Sequence, residues 1–154
     1  MTKKERIDVM VDLETLGKDF NAVVFQIAAA GFDIKTGEIL TEFNELADIS
    51  NLEKEDGIID GDTLKWWLAT NEELLASLLN KGNTFTVRGI FEEFHKWLTK
   101  LHKEYERVYV WGNGILFDNA IIRYKLENYG LGYPIFFRND RDVRTIFELA
   151  QIKT

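Results

Sequence analysis

Several features are scarce in this sequence of 154 residues, and each scarcity excludes a class of protein. There is no cysteine, which excludes disulfides, thiolate metal sites and thiol nucleophiles and fits a reducing compartment. There is a single proline, Pro134, and 45% of the residues are hydrophobic, which excludes collagen-like and low-complexity classes. The longest apolar run, residues 22–32, is interrupted by Gln26 and is shorter than the ~20 residues that a membrane span needs. Because the N-terminus also lacks the apolar segment of a secretory signal, we expect a cytoplasmic protein without a membrane segment.

Positive charge is also scarce, and it is unevenly distributed. The formal net charge is −7, and residues 1–118 carry 13 Lys and Arg against 22 Asp and Glu. Residues 119–154 reverse this balance, with six basic residues against four acidic ones. An acidic chain does not hold nucleic acid by bulk electrostatics. Two interpretations stay open: an ordinary solvated surface, or a carboxylate metal site beside a phosphate-binding flank.

The hydrophobic pattern predicts an α/β domain. We expect three strands that form an antiparallel meander, a solvated acidic loop, two helices capped by Asp62 and Thr70, and an amphipathic helix. A short strand and two further helices follow, the last capped by Asp142. There is no repeat and no linker, so residues 1–154 are expected to form a single domain. The predicted strands cover 6–12, 21–33, 38–48 and 107–111; the loop covers 49–61; the last three helices cover 86–103, 117–128 and 143–151.

Two carboxylates stand at the end of the first predicted strand. Asp12 and Glu14 are two residues apart, so both side chains lie on one face of the strand, about 6.6 Å from each other. This spacing allows them to share a cation, and a cation would relieve their mutual repulsion. The alternative is two ordinary surface acids at an exposed strand end.

A third carboxylate follows the fourth predicted strand. Gly112 and Gly114 allow a tight turn, after which Asp118 falls in the first turn of a helix. A helix start after a strand faces the carboxyl edge of the sheet, where Asp12 is also expected. The alternative is a plain first-turn acid that the helix dipole favours.

These segments together resemble a known family. Asp12-Leu13-Glu14-Thr15 resembles the first motif of the DEDD 3'-5' exonuclease superfamily, and Asn113-x-x-x-Phe117-Asp118 resembles the second. The pair Trp66-Trp67 and the segment 139–145 are similar to the phage exonuclease A and prophage exodeoxyribonuclease VIII-like group, which is related to a mycobacterial poly(A) exoribonuclease. The resemblance spans essentially the whole chain. It places the chain in the cytoplasm of a bacterial or phage-infected cell.

The resemblance implies a ribonuclease H-like fold, with a mixed sheet flanked by helices, and an exonuclease that releases 5'-mononucleotides. It implies two Mg²⁺ or Mn²⁺ ions, with Asp12 on both ions, Glu14 on the ion that activates water and Asp118 on the other. The partner would be a single-stranded or 3'-ended nucleic acid, either DNA or RNA, and the oligomeric state stays open. The residues expected to contact the 3'-terminal nucleotide are Thr15, Leu16, Asn113 and Phe117.

The third motif of that superfamily, His-x-x-x-x-Asp or Tyr-x-x-x-Asp, does not follow Asp118 in this sequence. We therefore expect a C-terminally shortened exonuclease whose isolated chain hydrolyses weakly or not at all. The alternative is a catalytically inactive domain of the same fold that binds nucleic acid or a protein partner. Asp142 could act as a fourth ligand, although a structural helix cap is the preferred interpretation.

Aromatic and basic residues near these motifs carry two further expectations. Trp66 and Trp67 are adjacent on a predicted helix, so their side chains diverge by about 100°. Core packing of both is expected, with stacking of one on a base as the alternative. Arg138, Arg141 and Arg144 either contact phosphates or make ordinary surface and intramolecular contacts.

Overall fold

The computed structural model of the chain describes residues 2–81 and 83–151. Within these segments, no helix is both long and apolar enough to cross a lipid bilayer. The strands are β1 (Lys4–Thr15), β2 (Val24–Phe32), β3 (Ile39–Leu46), β4 (Tyr105–Gly112) and β5 (Asp140–Asp142). The helices are α1 (Gly61–Asn80), α2 (Val87–Glu104), α3 (Asp118–Asn128) and α4 (Val143–Leu149), and a 3-10 turn covers Lys54–Asp56.

The strands form one mixed sheet in the order β3-β2-β1-β4-β5. β1 pairs with β2 and β2 with β3 in antiparallel register, which confirms the predicted meander. β4 runs parallel to both β1 and β5. β1 therefore lies at the centre of the sheet, between an antiparallel neighbour and a parallel one. This is the mixed sheet that the sequence predicts.

Alternation along β1 separates the two faces of the sheet. Ile7, Val9, Val11 and Leu13 are all buried, and they pack in the hydrophobic core with the apolar faces of α2 and α3. The predicted amphipathic helix is α2, which begins after Thr86, whose side chain accepts a hydrogen bond from the Gly89 N–H at 3.1 Å. The buried stripe of α2 consists of Val87, Ile90, Phe91, Phe94, Leu98 and Leu101.

The structure corrects several predicted boundaries. The first of the two capped helices begins after Asp60 rather than Asp62, because the Asp60 carboxylate accepts the Thr63 N–H at 3.0 Å. The second follows a kink at Asn71, whose side chain accepts the Leu74 N–H, so Asn71 replaces Thr70 as the cap. The short strand β5 was not predicted. Its three residues pair with residues 110–112 of β4.

Candidate active site

The end of β1 extends past its parallel neighbour. The pairing of β1 with β4 ends at Met10 and Trp111, whereas its pairing with β2 continues through Asp12 and Glu14. One edge of β1 is therefore free of a strand partner at these two carboxylates. They share the face of the sheet opposite to the buried face that Leu13 joins.

Asp118 occupies the space beside this free edge. It is the first residue of α3, and only 5% of its surface is exposed. The helix α3 packs against β1, and the charge of Asp12 acts on the Asp118 carboxylate, so the two carboxylates lie within electrostatic reach of each other.

The three carboxylates destabilise one another in their charged forms. Burial raises the pKa of Asp118 to about 6, and the charge of Asp12 adds to this effect. Burial also raises the pKa of Glu14, followed by repulsion from Asp12 and Asp118. Asp12 as a whole residue is exposed to solvent. Protein atoms around its carboxylate nevertheless remove part of the hydration of that group, and this raises the pKa of Asp12 as well. The cluster is therefore a local excess of negative charge.

The three side chains are neighbours without forming a closed coordination shell. Across residues 2–81 and 83–151, no three His, Cys, Asp or Glu side chains converge closely enough to hold one metal ion. The donor set is nevertheless suited to a hard divalent cation, because it consists only of carboxylate oxygens.

A cleft of about 450 Å³ lies beside Glu14. Trp66 and Phe117 contribute aromatic surface to it, and Trp66 is 57% exposed. This exposure corrects the expectation that both tryptophans are core residues, since only Trp67 is buried. The further lining residues are Leu13, Thr15, Gly17, Lys18, Asp62, Thr63 and Trp67.

The predicted substrate contacts differ in their access to this cleft. Thr15 and Phe117 line it, and Asn113 is exposed on the loop before α3. Leu16 is 2% exposed, and its N–H and C=O groups are bonded to Val23 and Asp60. The expected contact between Leu16 and a nucleotide therefore has no exposed group to support it.

Asp142 fixes the loop that leads to Asp118. Its carboxylate accepts hydrogen bonds from the N–H groups of Gly114 at 3.2 Å, Ile115 at 3.3 Å and Arg144 at 3.0 Å. The last of these bonds caps α4, as the sequence predicts. Both carboxylate oxygens are thus used by backbone donors, which favours the structural role over that of a fourth ligand.

A buried polar network behind the site was missed in the sequence. Lys125 of α3 is fully buried and donates a hydrogen bond to the backbone carbonyl of Asp56. The Asp56 carboxylate accepts hydrogen bonds from the Tyr129 hydroxyl at 2.5 Å and the Glu53 N–H at 2.6 Å. Asp56 is 1% exposed, so the expectation of a fully solvated acidic loop is wrong at this residue. The available signal was the position of Lys125 among Ile121, Ile122 and Leu126 on one face of α3.

A family comparison agrees with this geometry. The profile of the 3'-5' exoribonuclease Rv2179c-like domain matches residues 7–154. The chain belongs to this family. No curated protein sequence matches the chain significantly. The finer assignment to the phage exonuclease A and exodeoxyribonuclease VIII-like group stays a prediction.

Solved structures of exonucleases share the fold of this family member. E. coli exonuclease I in complex with a dT13 oligonucleotide superposes on 96% of the chain with a TM-score of 0.67 and 15% identity. The nuclease domain of 3'hExo, a DEDDh family member bound to rAMP, covers 96% with a TM-score of 0.63 and 10% identity. Cell-death related nuclease 4 covers 96% with a TM-score of 0.62 and 18% identity. The predicted ribonuclease H-like fold is thereby confirmed.

The chain is short compared with some of these structures. It spans 49% of the nuclease 4 chain and 30% of the exonuclease I chain, but 72% of the 3'hExo nuclease domain. The shared region is therefore the nuclease fold itself. At these identities the likeness concerns the fold, and the chemistry has to be argued from the residues of this chain.

Proposed function

We propose that this chain is a metal-dependent exonuclease that removes 5'-mononucleotides from the 3' end of single-stranded nucleic acid. The observation that carries the proposal is the position of three carboxylates at one edge of the sheet. Asp12 and Glu14 lie at the end of β1, beside the edge that β4 leaves free, and Asp118 begins the helix that packs against β1. Membership of a 3'-5' exoribonuclease domain family supports the same reaction. We treat residues 1–154 as one exonuclease-like domain, and we assign it to the cytoplasm of a bacterial or phage-infected cell.

The metal ligands in this proposal are Asp12, Glu14 and Asp118. Oxygen ligands suit Mg²⁺ and Mn²⁺. A divalent cation would stabilise the charged forms of all three carboxylates, whose pKa values are raised by burial and, at Glu14 and Asp118, also by repulsion. When bound, two such ions would activate a water molecule and stabilise negative charge on the attacked phosphate and the leaving oxygen. Coordination requires the three side chains to converge further than they do without a cation.

The cleft beside Glu14 is the proposed site of the 3'-terminal nucleotide. Its aromatic side chains, Trp66 and Phe117, offer surfaces on which a base can stack. Stacking tolerates every base, because each base presents a π face. The hydroxyl of Thr15 donates to the Gly17 carbonyl at 2.6 Å, and both residues line the cleft. Asn113, which does not line the cleft, is proposed to contact the nucleotide from the exposed loop before α3. We expect little base specificity.

The direct test is digestion of 5'-labelled single strands with the protein in molar excess over the strand. With Mn²⁺ we expect slow shortening by one nucleotide at a time from the 3' end, because the third motif of the superfamily does not follow Asp118 in this sequence, and no products with EDTA. Parallel RNA and DNA strands report the sugar preference, because the family description names RNA whereas exonuclease I was solved with DNA. A circular strand has no 3' end and should stay intact.

The matched variants separate the carboxylate cluster from general effects of charge. Asp12→Asn should abolish shortening, whereas Asp19→Asn, at an exposed aspartate outside the cluster, should leave it unchanged. Shortening that survives Asp12→Asn would contradict the proposal. Binding of strands without any shortening would favour the alternative, a catalytically inactive nucleic-acid-binding domain.

A further inference from the structure

The arginines of the chain fall into two groups by their partners. Three of them lie within residues 138–144, and among the residues that the structure describes none of these three has a carboxylate within 4.0 Å. This group surrounds β5, which lies next to β4 and the loop that leads to α3. The other four form ion pairs: Arg6 with Asp8, Arg88 with Glu53, Arg107 with Glu5, and Arg123 with Glu127.

Two of the three arginines without an ion pair are occupied by other contacts. The Arg141 guanidinium lies 4.6 Å from the centre of the Tyr109 ring and donates to the backbone carbonyls of Arg138 at 2.6 Å and Asp140 at 2.9 Å. The Arg138 guanidinium lies 5.2 Å from the Phe137 ring centre. None of the three arginines lines the cleft beside Glu14, so the contacts of each guanidinium distinguish them.

Arg144 lies beside the loop that leads to Asp118. The carbonyl of Gly114 in this loop accepts the Phe117 N–H at 3.0 Å, so the loop ends directly before Asp118. The Nε of Arg144 donates to the Asn113 side-chain oxygen at 3.3 Å. The guanidinium carbon lies 3.6 Å from the point that a Cβ atom on Gly114 would occupy, so the loop backbone passes directly beneath it.

The guanidinium is held in place while most of its donors remain available. The backbone N–H of Arg144 is bonded to Asp142, which also binds the loop at Gly114 and Ile115. Among the described residues, the Nε bond to Asn113 is the one hydrogen bond that the side chain makes. The two terminal nitrogens therefore form a planar fork beside the loop that leads to Asp118, and this geometry matches two oxygens of a phosphate.

We propose that Arg144 binds the phosphate that joins the 3'-terminal nucleotide to the rest of the strand and places this phosphate over the carboxylate cluster. The inference rests on the proposed function, because it names a substrate contact of the same site. Three carboxylates repel a phosphate, and Arg144 offers the opposite charge beside the Asn113–Gly114 loop that leads to Asp118. It is a substrate-binding residue that acts on the reacting phosphate, in addition to the metal ligands.

The test compares two probes that differ only in the phosphate. AMP is a 5'-mononucleotide of the product class and cannot be shortened further, and adenosine lacks its phosphate. Binding of each to the full chain is measured in Mg²⁺ by NMR titration. Arg144→Gln should weaken AMP binding about tenfold to a hundredfold, the usual effect of losing a charge-assisted contact, and should leave adenosine binding unchanged.

Two further variants make the result decisive. Arg144→Lys keeps a point charge without the fork, and we expect intermediate AMP affinity. Arg138→Gln removes a neighbouring arginine whose guanidinium lies beside the Phe137 ring, and we expect wild-type affinity. If Arg144→Gln weakened AMP and adenosine equally, or neither, the inference would be overturned. If the wild-type chain bound no AMP at all in Mg²⁺, the proposed function itself would be at fault.

Discussion

The indole N–H of Trp67 donates a hydrogen bond to the backbone carbonyl of Thr15 at 3.0 Å. This bond joins α1 to the last residue of β1, directly after Glu14. Trp67 also packs edge-on against Phe25, with 5.9 Å between the ring centres. Its neighbour Trp66 lines the cleft and is exposed. Two adjacent tryptophans therefore have different tasks: one holds the strand end in place, and the other offers a stacking surface.

Trp67→Phe should lower the free energy of unfolding by about 1–3 kcal/mol. The substitution leaves the buried Thr15 carbonyl without its donor and removes part of a buried ring. Urea denaturation followed by circular dichroism measures the change. An unfolding free energy equal to that of the wild type would show that the bond to Thr15 does not stabilise the end of β1.

Trp66→Ala should leave the free energy of unfolding within about 0.5 kcal/mol of the wild type, because the side chain is exposed. It should weaken binding of a single strand by about 1–3 kcal/mol through the loss of base stacking. Fluorescence anisotropy with a labelled oligonucleotide measures the affinity. Leu68→Ala removes an exposed apolar side chain that does not line the cleft and serves as the control. Equal losses in both variants would argue against a stacking role for Trp66.

Lys125→Met should lower the free energy of unfolding by about 3 kcal/mol at neutral pH. The change removes one member of a buried polar pair and leaves the Asp56 carbonyl without its donor. We expect the exposed Lys65→Met to change stability by less than about 0.5 kcal/mol. A Lys125→Met variant as stable as the control would mean that the network does not anchor the 53–56 turn to α3.

The same lysine makes stability depend on pH in a definite direction. Burial lowers the pKa of Lys125 to about 8, with the Asp56 charge opposing this effect, whereas the ordinary value is 10.5. Between these two values the unfolded chain binds more protons than the folded one, so the unfolding free energy rises with pH.

The measurement is the difference in unfolding free energy between wild type and Lys125→Met, followed as the pH rises. We expect the difference to grow in favour of the wild type by about 2 kcal/mol from pH 7.5 to 10. Tyrosines of the unfolded chain begin to ionise in this range, since their ordinary pKa is 10.0 and the pKa of Tyr129 in the fold is raised. This contribution is common to wild type and variant, so the difference between them isolates Lys125. A difference that stays constant, or shrinks, would contradict the assigned pKa.

The parts of the structure that sequence reasoning predicts correctly are those that depend on local patterns. The buried stripe of α2 and the turn between β2 and β3 follow from residue spacing and turn chemistry. The position of Asp118 at the start of α3 follows from the glycines before it and the helical pattern after it. The contact between α3 and β1 follows from the rule that strand ends and helix starts share one edge of such a sheet.

The parts that were missed depend on contacts between distant residues. β5 consists of three charged residues, and only its pairing with β4 makes it a strand. The burial of Asp56 depends on Lys125 and Tyr129, about 70 positions further along the chain. Asp142 both caps α4 and binds the loop at Gly114. The second contact joins residues that are far apart in the sequence, so no local pattern predicts it. The periodicity of hydrophobic residues therefore does not predict polar contacts between residues that are distant in the sequence.

The central claim is that Asp12, Glu14 and Asp118 hold divalent metal ions together. X-ray diffraction from crystals soaked in Mn²⁺, with an anomalous difference map, tests it most directly. We predict an anomalous peak between the carboxylates of Asp12 and Asp118, about 2 Å from the nearest carboxylate oxygens, and no such peak in crystals of Asp118→Asn. A map with no peak at the end of β1, or with a peak that persists in Asp118→Asn, would contradict the account.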